Sequence, residues 1–506
     1  MRGKKSMLRS AFQNIRNGVE VRKNLITLKE LLREDATKNS HNKEALLYVI
    51  AGDYEIFESL LKHEDAKVRK NTALIMGELA APEFLSMLFK AYQAESQMFV
   101  KSSYLAAIMN LNYESILDQL KLHYNKLCEV EITEENRKHL TEELRQLEQL
   151  LSAYSGGKAH KFTGYECANE LVLLCNRNHI HITTELLGKT TKKEFTAGVM
   201  VKTKNLNDVL WIRTYREMLF AVEGVKTVPN DVVSAAKLLA DGTILKYLEN
   251  RHSGKSPFYF RIELKAKMDA DKKSAFVKRL ASEMEHLSER KLLNSVNQYE
   301  VEIRLIENKE GRFNVLLRLY TLKDSRFSYR KEAIASSIHP STAALCAHLA
   351  KDYLQEEAQV LDPFCGVGTM LIERNFCVKA KTMYGLDLFG EAIDKARINT
   401  KEADVIINYI NRDFFDFTHE YLFDEVFTNM PTVNRSMSER DLFELYRKFF
   451  NKVQQHLKQG AILVLYTHNR EFVKKLGATK PFCLLKEYEI SMIEGTYVEI
   501  IQYGEK

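Results

Sequence analysis

The hydrophobic pattern of the chain changes character twice. In the last third, short apolar runs alternate with segments of helical spacing. Val360 and Leu361 close a strand-like run, after which Met370, Leu371 and Ile372 open a helix. A second strand, 382–386, ends at Asp387, and Ala392, Ile393, Ala396 and Ile398 then recur at helical spacing until Asn399. An apolar stretch, Val405 to Ile407, stands where the third strand is due, and a fourth strand end spans 424–432. A helix from about Glu439 to Leu457 with Gly460 as its stop, a strand 461–466 and a terminal strand pair, about 483–490 and 497–503, complete the order. Such alternation predicts a Rossmann-like α/β domain over 325–506.

Residues 156–324 mix the two periods and predict a smaller α/β domain. Strands are expected at 258–264, 299–306 and 314–319, the first followed by a helix carrying Lys272, Lys273, Lys278 and Arg279. Residues 1–155 read as helix throughout. Val100, followed by Ala106, Ala107 and Ile108, echoes Val68 and its followers thirty-two residues later, so helix pairs that bury their apolar faces by stacking are expected. The run 155–158, Ser-Gly-Gly-Lys, marks the boundary between these regions.

The candidate chemistry lies at the strand ends of the last third. Asp362-Pro363-Phe364-Cys365-Gly366-Val367-Gly368-Thr369 joins the first strand to its helix. Its glycines let backbone pass under a bulky ligand, and Asp362 can pair with an amine or cation. The loop reads as a cofactor pocket, for S-adenosylmethionine, or else as a purely structural glycine turn; Leu371 stands where a dinucleotide fingerprint needs its third glycine, which argues against nicotinamide or flavin. Asp387, with Leu388 beside it, is placed to accept ribose hydroxyls, although an acid there also reads as a helix cap. Asp413 and Phe414 offer an acid and a ring to adenine, or else a turn acid and a core aromatic.

Asn429 and Pro431 can present carbonyl groups to an exocyclic amine, though Asn-x-Pro also reads as a plain turn. Cys365 reads as a small side chain against the cofactor rather than a nucleophile, since nothing near it in sequence activates it. His339, before Pro340, reads as the start of a helix, with a catalytic role as the alternative.

As a set, Arg330-Lys331-Glu332-Ala333, Ile338-His339-Pro340-Ser341, the 362–369 loop, Gly385-Leu386-Asp387, Ala396-Arg397-Ile398-Asn399, Arg412-Asp413 and Thr428-Asn429-Met430-Pro431 resemble the methyltransferases of the THUMP-domain family. The resemblance implies methylation of guanosine N2 in tRNA or ribosomal RNA, with S-adenosylmethionine as cofactor. It makes Asp362, Phe364, Cys365, Gly366, Gly368, Thr369, Asp387, Leu388, Asp413, Phe414 and Asn429 cofactor-binding positions and Asn429 and Pro431 catalytic ones.

In that family the fourth motif is Asn-Pro-Pro followed by an aromatic that stacks on the flipped base. Here Met430 and Thr432 replace the first proline and the ring, a loss of roughly 1–3 kcal/mol of stacking unless Phe427, Phe414 or Phe415 substitutes. Methylation of another amine, such as adenine N6 or a protein side chain, or binding without transfer, are the alternatives. Residues 206–219 resemble the segment before the core of RNA-binding THUMP domains. The four cations of the basic helix, with Arg326, Arg330 and Lys331, are then phosphate contacts, or else a solvated face. Residues 60–79, with Asp-Ala-Lys-Val-Arg at 65–69, resemble a HEAT-type repeat, which implies a short solenoid with a surface for RNA or a protein partner, or else a plain α-helical cap on the enzyme.

The net charge of +6 is compatible with RNA without requiring it. Seven cysteines without Cys-x-x-Cys suggest neither a zinc site nor a disulfide framework, and no metal is expected. No apolar run is long enough to span a bilayer, and the basic start (Arg2, Lys4, Lys5, Arg9, Arg16) lacks the apolar segment of a secretion signal; it reads as a solvated helix, with an organelle-targeting helix as the alternative, and a cytoplasmic protein is expected.

Overall fold

The computed structural model describes residues 2–33, 41–128, 130, 136–154, 160–254, 256–295, 298–432 and 438–504. The predicted boundary at 155–158 lies outside these, as do the side chains of Arg2, Lys4 and Lys5. Two compact units are present, Met1–Ala159 and His160–Lys506.

Among the described residues the first unit is helical: α1 (Arg2–Arg16), α2 (Val21–Arg33), α3 (Asn42–Ile50), α4 (Glu55–Leu61), α5 (Ala66–Leu79), α6 (Phe84–Ala94), α7 (Met98–Ile108), α8 (Leu117–Cys128) and α9 (Arg137–Tyr154). Helix α2 packs on α5, α5 on α7 and α7 on α9, so these four helices stack in a row. Asp65 caps α5 by accepting from the Lys67 amide at 2.8 Å. Gly77 permits the α5–α7 contact, because a Cβ there would meet Ala107 Cα at 2.7 Å. Val68 and Val100, the echoed positions, are both buried, and Arg69 reaches from one helix pair to the next to form a bidentate pair with Glu95 at 2.7 and 2.8 Å.

The second unit carries two sheets. The first holds β2 (Asn169–Cys175), β3 (Thr191–Phe195), β4 (Gly198–Thr203), β5 (Tyr215–Ala221), β6 (Thr227–Val228), β8 (Phe258–Lys265), β9 (Leu292–Asn294), β10 (Val301–Glu307) and β11 (Phe313–Leu319), in the order β3-β4-β2-β5-β11-β10-β8-β9 with β6 beside β11. A separate two-stranded pair is formed by β1 (Lys161–Phe162) and β7 (His252–Ser253). Short helices α10 (Ile180–Leu186), α11 (Asn207–Leu210), α12 (Val232–Leu239) and α13 (Thr243–Glu249) lie between the strands. The expected basic helix is α14 (Ala270–Leu287), which buries Leu280, Ala281 and Met284 and crosses over from β8 to the parallel β9.

The other sheet follows α15 (Pro340–Ala350). It consists of β12 (Gln359–Asp362), α16 (Thr369–Cys377), β13 (Thr382–Asp387), α17 (Gly390–Glu402), β14 (Asn408–Asn411), β15 (Phe423–Asn429), α18 (Glu439–Val453), β16 (Leu457–Thr467), α19 (Arg470–Gly477), β17 (Phe482–Ser491) and β18 (Thr496–Tyr503). Strand order is β14-β13-β12-β15-β16-β18-β17, parallel through β16, with β18 and β17 closing the edge antiparallel.

Two expectations need correction. The third strand is 408–411, not 405–407, because Ile406 is 86% exposed and finds no layer to pack on. Gly460 stops no helix: α18 ends at Val453, and Gly460 sits inside β16 at φ +81°, beside the register shift between β15 and β16. Among the described residues no helix is long and apolar enough to cross a membrane.

Candidate cofactor and acceptor site

The strand order reverses at β12: β13 and β14 are added on one side of it and β15 and β16 on the other, all parallel. In an open parallel sheet, such a switch point leaves a crevice beyond the strand ends. Asp362, Asp387 and Asn429 end three of the four strands around it.

Asp362 is fully buried. One carboxylate oxygen accepts from the Phe364 amide at 3.1 Å and from the Thr428 hydroxyl at 2.5 Å, whereas the other, also buried, has no partner among the described residues. Burial pushes its pKa up to about 7, with the Asp387 charge adding and the two hydrogen bonds opposing. Asp387, half-buried, accepts from the Gly366 amide and the Phe389 amide, both at 2.9 Å. A carboxylate offers about four acceptor directions, so two remain for a diol. Leu388 and Phe389 next to it are 62% and 70% exposed.

The loop over these acids is held from below by a residue the sequence did not reveal. Tyr409 on β14 donates to or accepts from Thr400 at 2.7 Å, and a Cβ on Gly368 would lie 2.1 Å from its hydroxyl oxygen. Gly385 is under the same constraint, 2.8 Å from the ring. Gly366 is different: a Cβ there would meet only Ile334, at 3.9 Å, so its upper face is open to a ligand. Asn399 fastens the strap 330–338 to the loop, exchanging hydrogen bonds with the Glu332 backbone at 2.9 and 3.0 Å and donating to the Val367 carbonyl at 3.2 Å. The Thr369 hydroxyl, at the start of α16, is buried without a partner.

Asn429 is half-buried, and its side chain makes no hydrogen bond among the described residues. Met430 behind it is buried and donates its amide to the Tyr466 carbonyl at 2.9 Å, and the Pro431 carbonyl accepts from Tyr446 at 3.1 Å, so the turn is fixed on both sides of the amide.

The remaining expected site residues are engaged within the fold. Asp413 caps a short turn by accepting from the Phe415 amide at 2.9 Å. Phe414 is 2% exposed, its ring packed among Phe364, Phe449 and His456, so it belongs to the core and does not face an adenine. Phe427 is likewise fully buried, which leaves the half-buried Phe415 among the three rings considered as substitutes for the missing aromatic. Cys365 is buried, and burial together with the Asp362 and Asp387 charges drives its thiol upward, away from thiolate reactivity. His339 caps α15, its Nδ1 accepting from the Ser341 amide at 3.2 Å.

Among the cations, Lys278 and Arg279 are exposed on α14, Lys273 is half-buried, Lys272 pairs with Asp269 at 3.3 Å and Lys331 lies 3.7 Å from Glu402. Arg326 is no phosphate contact: it is 5% exposed, paired with Asp324 at 2.7 Å and donating to the Ile212 and Tyr215 carbonyls at 3.0 and 2.8 Å. Arg330 is half-buried.

Residues 328–492 match the family model of the RMKL-like methyltransferase domain. TrmN from Thermus thermophilus aligns over 66% of this chain and 99% of its own at a TM-score of 0.50 and 16% identity. A predicted N6-adenine-specific DNA methylase from Listeria monocytogenes aligns over 67% and 97%, at 0.50 and 16%. These likenesses show a shared fold. No curated protein matches the chain. The matched region is an S-adenosylmethionine-dependent methyltransferase domain. The unpartnered Asp362 oxygen, the open face of Gly366 and the spare acceptor directions of Asp387 fit that cofactor.

Proposed function

We propose that this methyltransferase acts on an exocyclic amine in RNA, most specifically N2 of guanosine in tRNA or ribosomal RNA. The observation that carries this reading is the Asn429 side chain, an amide without a partner among the described residues, held beside the Asp362 strand end by Thr428 and followed by a fixed proline turn. When bound, S-adenosylmethionine supplies a methyl group already activated by its positive sulfur.

Asp387 holds the ribose, Gly366 and Gly368 keep the backbone close, and Asp362 takes an amine or cation. Asp413, Leu388 and Phe364 complete the pocket. The Asn429 carbonyl accepts a hydrogen from the acceptor amine and aims its lone pair, and the Pro431 turn fixes that angle. Catalysis is then mainly positioning. Residues 156–324 supply a THUMP-like RNA surface through Lys272, Lys273, Lys278, Arg279 and Lys331, and the HEAT-like helix pairs of 1–155 offer a surface to a protein partner.

A second reading, cofactor and RNA binding without transfer, is favoured by Thr432, which stands exposed where the family carries a stacking ring. Incubation with methyl-labelled cofactor and total RNA separates the two. Asp387→Ala is expected to weaken cofactor binding at least tenfold, whereas Asn429→Ala retains binding and loses transfer by about 10²-fold or more. Equal effects of both substitutions on binding would remove the assigned roles.

A further inference from the structure

A base whose exocyclic amine meets Asn429 has left its stack, and its faces must then be covered by rings or apolar side chains of the protein. Thr432, exposed after the turn, has no ring to offer, and the rings of Phe414 and Phe427 are buried. Phe415 follows β14, three strand spacings from β15 in the sheet, and its ring packs toward Phe414 at 5.9 Å. On the other side of β15, β16 runs out at Thr467, and the next residue, His468, is an exposed ring.

The sheet places this imidazole beside the acceptor amide. Asn429 is in register with Tyr466, and residues paired across parallel strands share a face. His468 comes two residues later and returns to that face, one strand spacing across and two residue rises along, which sets its Cα about 8 Å from that of Asn429. The Tyr466 and His468 rings meet edge to face with centroids 6.0 Å apart. Hydrogen bonds fix the position. Met430 donates to the Tyr466 carbonyl at 2.9 Å, the Tyr446 hydroxyl on α18 bridges the Pro431 carbonyl at 3.1 Å and the Thr467 hydroxyl at 2.9 Å, and Thr467 accepts from the Asn469 amide at 2.8 Å. The residues flanking His468 are thus tied to the turn that follows Asn429. Its own Nδ1 donates to the Glu494 carbonyl at 3.2 Å, at the tip of the hairpin between β17 and β18, which sets the orientation of the ring. The same tip carries Met492 and Ile493, 77% and 97% exposed, so the ring stands beside apolar surface.

We propose that His468 is the ring on which the extruded RNA base stacks, supplying from the neighbouring strand the contact that Thr432 cannot make. Every base has a π face, so the stack seats the base while Asn429 reads its edge. This inference rests on the RNA reading above and names the residue that holds the base against the amide.

Methyl transfer to unfractionated tRNA and cofactor affinity are measured on the full chain for the wild type, His468→Ala, His468→Gln and His468→Phe. Loss of one base stack should lower kcat/KM for RNA by about 5- to 150-fold in His468→Ala and in His468→Gln, which keeps a donor for Glu494 without a ring. His468→Phe should recover most of that loss, with cofactor affinity within about twofold of wild type throughout. Fluorescence of Trp211, the single tryptophan of the chain, reports folding. Wild-type kcat/KM in His468→Ala overturns the stack and leaves the functional reading standing. Equal losses in all three variants, or a loss in His468→Phe that His468→Gln does not share, assign the imidazole to holding the hairpin tip and overturn it too. A smaller salt dependence of RNA binding in His468→Ala makes the ring a phosphate contact, and a parallel loss of cofactor affinity places it at the cofactor; each overturns the stack. A wild type that transfers no label to RNA removes the functional reading, and the stack with it.

Discussion

Asp362 concentrates the chemistry of the crevice in one group. A carboxyl near pH 7 in the folded protein and near 3.9 in the unfolded chain keeps a proton that the unfolded chain has released. Stability of the ligand-free protein therefore falls as pH rises from about 4 to about 7 and is level in this respect above that. A cationic ligand favours the ionised form, so binding in the same window releases up to about one proton and tightens with rising pH, by at most about tenfold per unit. Calorimetry of cofactor binding in two buffers of different ionisation enthalpy measures that proton, and Asp362→Asn should abolish the dependence. Affinity that stays flat from pH 5.5 to 8 in the wild type would place no ionising group at the cofactor. The sequence made Asp362 visible because acid, glycines and the flanking strand and helix lie in one short stretch. It hid Tyr409 and the bond from Thr428 to Asp362, which act through the fold from other strands, and it left Phe414 open between ligand and core, because an aromatic after an acid looks the same in either place.

At the scale of elements, the switch-point strands are locked by a charge pair beneath the crevice. Arg374 on α16 is fully buried, grips Glu425 on β15 at 2.6 and 2.8 Å and donates to the Gln355 carbonyl at 2.8 Å. Burial outweighs the guanidinium and still leaves the Glu425 pKa raised. Removing one partner strands the other charge out of water, so Arg374→Ala should cost about 3–5 kcal/mol in urea unfolding, and replacing the pair by Met and Leu much less. A loss below about 1 kcal/mol for Arg374→Ala would mean that water reaches Glu425. Periodicity alone exposed most of these elements, since strands buried on both faces read as apolar runs. It failed at 405–407, an irregular stretch before β14 in which Val405 and Ile407 pack on the core and Ile406 is exposed, and at Gly460, where a glycine inside β16 imitates a helix stop. Short apolar runs and single glycines carry no information about which layer they meet.

On the scale of the whole second unit, the two sheets are joined at places distant in sequence. Arg213, between Phe327 and Phe376 at 4.9 and 4.5 Å, binds Glu373 on α16, and Tyr329 donates to the same carboxylate at 2.7 Å. Asn176 donates to the Ile490 carbonyl at 2.8 Å, and His179 to the Glu489 carbonyl at 2.8 Å, at the end of β17. A change of pattern near 324 separates the two sheets in the sequence, but contacts spanning 160 residues and more have no local signature, and they make His160–Lys506 one compact body. The helix gripped by Arg213 begins at the 362–369 loop, so the nine-stranded sheet bears directly on the glycine turn. Arg213→Ala leaves Glu373 buried and unpaired and should cost about 3–5 kcal/mol, whereas adding Glu373→Leu should recover a large part of it. If the double variant instead loses the sum of the two single losses, the ion pair does not couple the sheets, and the Phe327, Tyr329 and Phe376 packing around the guanidinium holds them together.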